Sequence, residues 1–131
     1  MRNPPPLNRI LFVEDDPDIQ IVARLALQTV GGFIVEICSS GREALDAAPT
    51  FQPDLVLLDM MMPEMDGLST LKALRNLPQT IKTPVIFLTA KVQTHEVVHY
   101  REAGAIDVIS KPFDPMTLAA TLNRLWIQYY G

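Results

Sequence analysis

Polar residues able to do chemistry fall in four places, each directly after a short apolar run. The run at 10–13 ends in Glu14-Asp15-Asp16, and the run at 55–58 ends in Asp59. The run at 85–88 ends in Thr89-Ala90, and the run at 106–109 in Ser110-Lys111-Pro112. Where these ends converge, they assemble two or three carboxylates, a hydroxyl and an ammonium. Two carboxylates about 4 Å apart repel by roughly 4 kcal/mol at an effective dielectric near 20. Such a cluster recruits a cation or keeps one carboxyl protonated. Oxygen donors without imidazole or thiolate select a hard ion, Mg²⁺ or Mn²⁺, over zinc. A carboxylate nucleophile, a hard cation, a lysine and a hydroxyl are the parts of a phosphoryl transfer. The cation and the lysine would neutralise charge on the migrating group.

The elements that must position these residues follow from the hydrophobic pattern. A further apolar run at 33–37 ends in Cys38-Ser39-Ser40. All five runs are rich in Val, Ile, Leu or Phe, as suits strands buried on both faces. The gaps between them, roughly 17 to 26 residues, are too long for hairpins and fit helical crossovers between parallel strands. Asp16-Pro17 reads as a helix cap with proline in the first turn, and Gly31-Gly32 as its stop. Ser40 is expected to cap a helix through Ala48, with Pro49 and Pro53 beyond its end. Leu68, Leu71 and Leu74 place a third helix after Gly67, finishing before Pro78. Thr94 is expected to cap a fourth that ends at Gly104. Asp114-Pro115 opens the last, whose apolar stripe is Leu118, Leu122 and Leu125.

Glu36 and Asp107 interrupt the second and fifth runs, while the other three are wholly apolar. Charges in mid-strand mark edges. With strands two and five outermost, one doubly wound order that fits is 2-1-3-4-5, so the expected fold class is α/β: a flavodoxin-like (βα)5 sandwich with helices on both faces. Ligands of such sheets bind beyond the strand carboxyl ends at the switch point. Here that point lies between strands one and three, hence between Glu14-Asp15 and Asp59.

The 131 residues suit one domain, 10–131, preceded by a proline-rich arm, 1–9, that carries Pro4, Pro5 and Pro6. A net charge of −4 without a basic run argues against nucleic acid as a partner. No apolar stretch is long enough for a membrane span, and Arg2 and Arg9 flank no apolar segment of a signal peptide. Cys38 is the only cysteine, so no intrachain disulfide or thiolate metal site can form. A cytoplasmic location is expected on these grounds.

Five stretches carry a family likeness: ILFVEDDPDI, DLVLLDMMMPEMDG, VIFLTA, EAGAIDV and SKPF. In this order and spacing, residues 10–126 resemble the receiver domain of two-component response regulators, most nearly the single-domain, chemotaxis-regulator-like kind. The resemblance implies that Asp59 accepts a phosphoryl group. It implies that Glu14, Asp15, Asp59 and the main-chain carbonyl of Met61 hold Mg²⁺. It makes Thr89 the hydroxyl that bonds the phosphoryl group and moves on activation, and Lys111 its counter-charge, with a cis bond between Lys111 and Pro112. The implied donor is a sensor histidine kinase or a histidine phosphotransfer protein. The implied output is a switched surface for a downstream protein, on a monomer or weak dimer that catalyses its own phosphorylation and dephosphorylation.

Two positions depart from the family's habit. Glu14 stands where Asp is also common, and its longer arm is expected to reach the metal through water. Val108 stands where an aromatic residue often swings on activation, so the switch is expected to run through Thr89, the loop after it and the fourth helix. Met61 cannot orient an attacking water, which predicts a slowly hydrolysed phosphoryl group. Because the chain stops after a fifth helix, a free-standing module is expected over a piece of a larger regulator.

Competing readings remain. An aspartate-nucleophile, Mg²⁺-dependent phosphohydrolase would place a second acid two residues past Asp59, where Met61 stands. A phosphate-independent pseudo-receiver would use its surface alone. The segment 95–99, HEVVH, matches the zinc-protease pattern H-E-x-x-H. No Asp, Glu or His follows Asp114 to supply a third ligand, so adventitious binding of zinc or nickel is expected there rather than catalysis. Ile21 and Leu25 add an apolar stripe beside Ile19, Val22 and Ala26 that suits a donor's helix. Trp126, Tyr129 and Tyr130 are expected to cover the core.

Overall fold

The computed structural model describes residues 3–131; Met1 and Arg2, the tip of the expected arm, lie outside the described residues. Five strands, β1 (Arg9–Val13), β2 (Ile34–Cys38), β3 (Leu55–Asp59), β4 (Val85–Thr89) and β5 (Asp107–Ser110), form one parallel sheet in the order β2-β1-β3-β4-β5. The flavodoxin-like arrangement is therefore the observed one, with the two charge-bearing strands at its edges. Alternation along the three central strands divides the core. Ile10, Phe12, Leu55, Leu57, Ile86 and Leu88 face one side, where α1 (Pro17–Arg24) and α5 (Leu118–Tyr130) pack. Leu11, Val13, Val56, Leu58, Val85 and Phe87 face the other, under α2 (Gly41–Phe51), α3 (Gly67–Leu74) and α4 (Thr94–Glu102). Each side chain of this kind contributes about 1.5–3 kcal/mol on full burial. The sheet's polar ends are thus held by a large apolar interior.

Several helix ends follow the expected caps. Asp16 Oδ1 accepts the Asp18 N–H at 2.8 Å, and Ser40 Oγ accepts that of Glu43 at 3.1 Å. Others differ, for local reasons. Pro49 lies inside α2, which runs on to Phe51. The N–H that proline lacks falls near the helix end, and Gln52, at φ 53, closes the last turn by donating to the Ala48 carbonyl at 2.8 Å. Thr94 is the first helical residue of α4, not its cap; Gln93 takes that place, with its N–H bonded to Glu96 Oε1 at 3.2 Å. Asp114 closes a preceding turn through Met116 N–H, so α5 starts only at Leu118. Phe33 and Ile106 precede their strands by one residue.

After Arg24 the first helix widens into a π-helical segment, Leu25–Val30, ending at Gly31. A Cβ on Gly31 would lie 2.8 Å from the Ala119 Cβ, so only glycine lets this end approach α5 so closely. Among the described residues no helix is long and apolar enough to cross a membrane. Cys38 is buried, and burial, helped by Glu36, Glu43 and Asp46, pushes its thiol up to about 12, which leaves it unreactive.

Candidate functional site

The carboxyl ends of β1, β3, β4 and β5 meet at one edge of the sheet because neighbouring strands are parallel and nearly level. Val13 lies opposite Leu58, Asp59 opposite Leu88, and Thr89 opposite Ser110. The residues after those positions therefore converge, as the order of the sheet requires. Gly67 allows α3 to start against this edge. Its N–H donates to the Met60 carbonyl at 2.9 Å, and a Cβ there would sit 2.7 Å from the Asp59 carbonyl.

Carboxylate oxygens of Glu14, Asp15 and Asp59 lie within 4.8 Å of one another. Glu14 and Asp59 are each 1% exposed, whereas Asp15 is open to solvent. Asp16, the third acid of the triplet, is spent on the α1 cap. Lys111 reaches across from the loop after β5. Its Nζ lies 2.8 Å from Asp59 Oδ1 in a hydrogen bond and 2.8 Å from Glu14 Oε1 as an ion contact outside hydrogen-bond alignment. One ammonium thus faces two buried carboxylates. Asp59 Oδ2 is buried with no hydrogen-bond partner among the described residues. An unsatisfied buried carboxylate oxygen costs free energy until a proton, donor or cation meets it.

The electrostatics carry the same strain. Burial, with Asp59 alongside and only partly countered by Lys111, pushes the Glu14 carboxyl up to about 7. Burial alone would lower the Lys111 ammonium, but its bonds to Asp59 and Glu14 outweigh this and raise it, so it stays charged at neutral pH. The donor set is all oxygen, which fits a hard divalent ion better than a soft one.

Thr89 is buried at the end of β4, and its hydroxyl accepts the Lys91 N–H at 3.1 Å. Its carbonyl accepts the Lys111 N–H at 2.9 Å, which ties the two loops together. The bond between Lys111 and Pro112 is cis, as the resemblance implied. Met61 is 63% exposed, and its N–H lies 3.4 Å from Asp59 Oδ1, a weak contact. Val108 lies apart from this group, half-buried on β5 opposite Phe87. Gln20, which no motif of the sequence marks, donates its side-chain amide to the Glu14 carbonyl at 2.6 Å and to Ser39 Oγ at 3.1 Å. Its place four residues past the Asp16 cap, on the turn facing β1, was the available signal.

Comparison with known proteins agrees with this geometry. Residues 10–123 match the family described as response regulator receiver domain. The DNA-binding response regulator MtrA of Mycolicibacterium smegmatis is 40% identical over 115 residues, covering 88% of this chain and 49% of that protein. The regulatory protein AtoC of Escherichia coli is 38% identical over 118 residues, 90% of this chain but 25% of its own. The chain thus spans half or less of the length of these relatives. Among solved structures, the chemotaxis response regulator CheY4 of Vibrio cholerae superposes with a TM-score of 0.83 at 33% identity, covering 92% of this chain and 99% of its own. The receiver domain of the sensor histidine kinase PA1611 from Pseudomonas aeruginosa, described with a magnesium ion coordinated in its active-site cleft, gives 0.79 at 31%, over 92% and 98%. A match that begins in β1 and ends within α5 takes in the whole sheet and every crossover, so this chain belongs to the response regulator receiver domain family.

Proposed function

We propose that the chain accepts a phosphoryl group on Asp59, with Mg²⁺ at the acidic group, and so switches a surface read by a downstream protein. The observation that carries this reading is the half-satisfied Asp59 carboxylate. Lys111 fixes one oxygen at 2.8 Å, while the other is buried and unbonded. Glu14, Asp15, Asp59 and the carbonyl of Met61 would hold the ion, and the magnesium reported for the PA1611 receiver supports that choice. When bound, Mg²⁺ offsets the negative charge gathered between acceptor and phosphoryl group.

The chain's own residues do the rest. The Asp59 carboxylate forms a bond to phosphorus as the donor's phosphorus–nitrogen bond breaks. The donor imidazole leaves with the electron pair and takes up a proton. The donor is a sensor histidine kinase or a histidine phosphotransfer protein, in the cytoplasm. Lys111, already charged, turns from the carboxylates to the phosphoryl oxygens, and the Thr89 hydroxyl exchanges the Lys91 N–H for the same group. An apolar pocket formed by Ile19, Val22, Ala90, Pro112 and Phe113 beside Lys111 gives the donor's helix a place to rest.

Phosphoryl incorporation from acetyl phosphate, read by intact mass, tests this directly. One phosphoryl group should be gained with Mg²⁺ and none by Asp59→Asn; no gain in a folded, Mg²⁺-binding protein would leave only a pseudo-receiver. Val108 is too small to swing between two positions, so the switch falls to Thr89 and α4. Val108→Tyr should therefore change how phosphorylation alters partner affinity; an unchanged dependence would remove the residue from the switch.

A further inference from the structure

The helix after Thr89 carries two imidazoles that the phosphoryl chemistry does not use. His95 and His99 are four residues apart on α4, and both are exposed. At 1.5 Å and about 100° per residue, such a pair lies roughly 6 Å apart along the axis and about 40° apart around it, on one face. Among the described residues neither imidazole takes part in a hydrogen bond or ion pair, so both ring nitrogens of each are free to turn outward. Exposed Glu102 follows His99 by one turn, at the end of the same helix.

We propose that His95 and His99 form a transition-metal site on the outer face of α4, separate from the acidic group and taking Zn²⁺, Ni²⁺ or Cu²⁺ through two imidazole nitrogens. Imidazole ligands favour these ions over Mg²⁺, which keeps the two sites chemically distinct. The remaining coordination positions go to water. Glu96, the acid of the H-E-x-x-H pattern, is committed to the start of the helix through its bond to Gln93 N–H, so binding without hydrolysis is the result.

The ion would matter to the fold because α4 is lightly anchored. Tyr100 is its only buried residue, set edge-on against Phe87 of β4 at 5.4 Å between ring centroids. A clamp across one turn of its outer face stiffens the element that adjoins Thr89 and Lys91.

The test is calorimetric titration of the full chain with Ni²⁺, in buffer containing excess Mg²⁺ to fill the acidic group. Saturable binding in the micromolar range is expected, weakened roughly tenfold or more by either His95→Ala or His99→Ala. Amide exchange over residues 94–102 should slow on adding Ni²⁺ to the wild type and not to the double variant. Both positions are exposed, so the variants should keep the wild-type circular dichroism. Absence of binding, or equal affinity in wild type and both variants, overturns the site. So does binding lost in Asp15→Asn and retained in the histidine variants, which would assign the ion to the acidic group.

Discussion

Where the strands begin, polar groups are answered one for one. Asp54 Oδ2 accepts the main-chain N–H of Asn8 at 2.9 Å and of Arg9 at 2.8 Å. The Arg9 guanidinium donates to the Phe51 carbonyl and lies 4.3 Å above the Phe51 ring. The Trp126 indole N–H donates to the Pro5 carbonyl at 2.7 Å, and Arg75 bonds the Thr80 and Thr83 carbonyls. Where the strands end, Glu14 and Asp59 are buried more deeply and are only partly answered, by Lys111. The buried side-chain oxygens lacking a hydrogen bond among the described residues, Glu14 Oε1 and Asp59 Oδ2, are both there. The contrast separates two uses of polarity: a closed network holds the fold, and an open one waits for a ligand.

The largest effect should come from removing charge at the open end. The Glu14 carboxyl sits at about 7 against an ordinary 4.5, a difference on the order of 3 kcal/mol. Its folded-state value is raised, so its contribution to stability is full below pH 4.5 and is lost as pH rises through about 7. Glu14→Gln should then stabilise the Mg²⁺-free protein at pH 8 by up to about 3 kcal/mol while weakening Mg²⁺ binding at least tenfold. Urea melts at pH 5 and pH 8, with a Mg²⁺ titration, check both. A destabilised variant at pH 8 would mean that the Lys111 contact outweighs the crowding.

Substitutions at the closed end should have the opposite sign and no metal dependence. Asp54→Ala strips two N–H groups of their acceptor and should cost about 2 kcal/mol; Trp126→Phe loses one hydrogen bond and should cost about 1 kcal/mol. Denaturant melts with and without Mg²⁺ should show the same loss. A loss that vanishes with Mg²⁺ would couple the two ends and break the contrast.

The difference between the ends also explains what the sequence reveals. Strand positions were legible because Ile10–Val13 and its counterparts are apolar without interruption, and Glu36 and Asp107 betrayed the edges. Once the order was known, Glu14, Asp15, Asp59, Thr89 and Lys111 followed from their places after the strands. Which carboxylate would be buried was not legible, since that depends on how Gln20 and Lys111 fold over Glu14. The Trp126–Pro5 bond was not legible either, because it joins residues 121 positions apart. Thr94 and Asp114 misled for a local reason. Each looks like a cap, yet a neighbouring pair, Gln93 with Glu96 or Asp114 with Met116, closes a different turn.

The smallest effect should come from Met61, which borders the open end but takes no part in its crowding. Its side chain is 63% exposed, so replacing it should leave stability within about 0.5 kcal/mol. On the proposed role of Asp59 as phosphoryl acceptor, its influence should fall instead on the lifetime of the phosphoryl group. A thioether can neither donate to nor orient a water attacking phosphorus, whereas an amide two residues past the acceptor can do both. Met61→Asn should speed loss of the phosphoryl group by about threefold to tenfold, equivalent to roughly 0.7–1.4 kcal/mol of barrier. A time course of intact mass after removing acetyl phosphate measures it. An unchanged lifetime would mean that water reaches the phosphoryl group from another side. The control of hydrolysis would then lie with Lys91, in the loop after Thr89, whose N–H bonds the Thr89 hydroxyl.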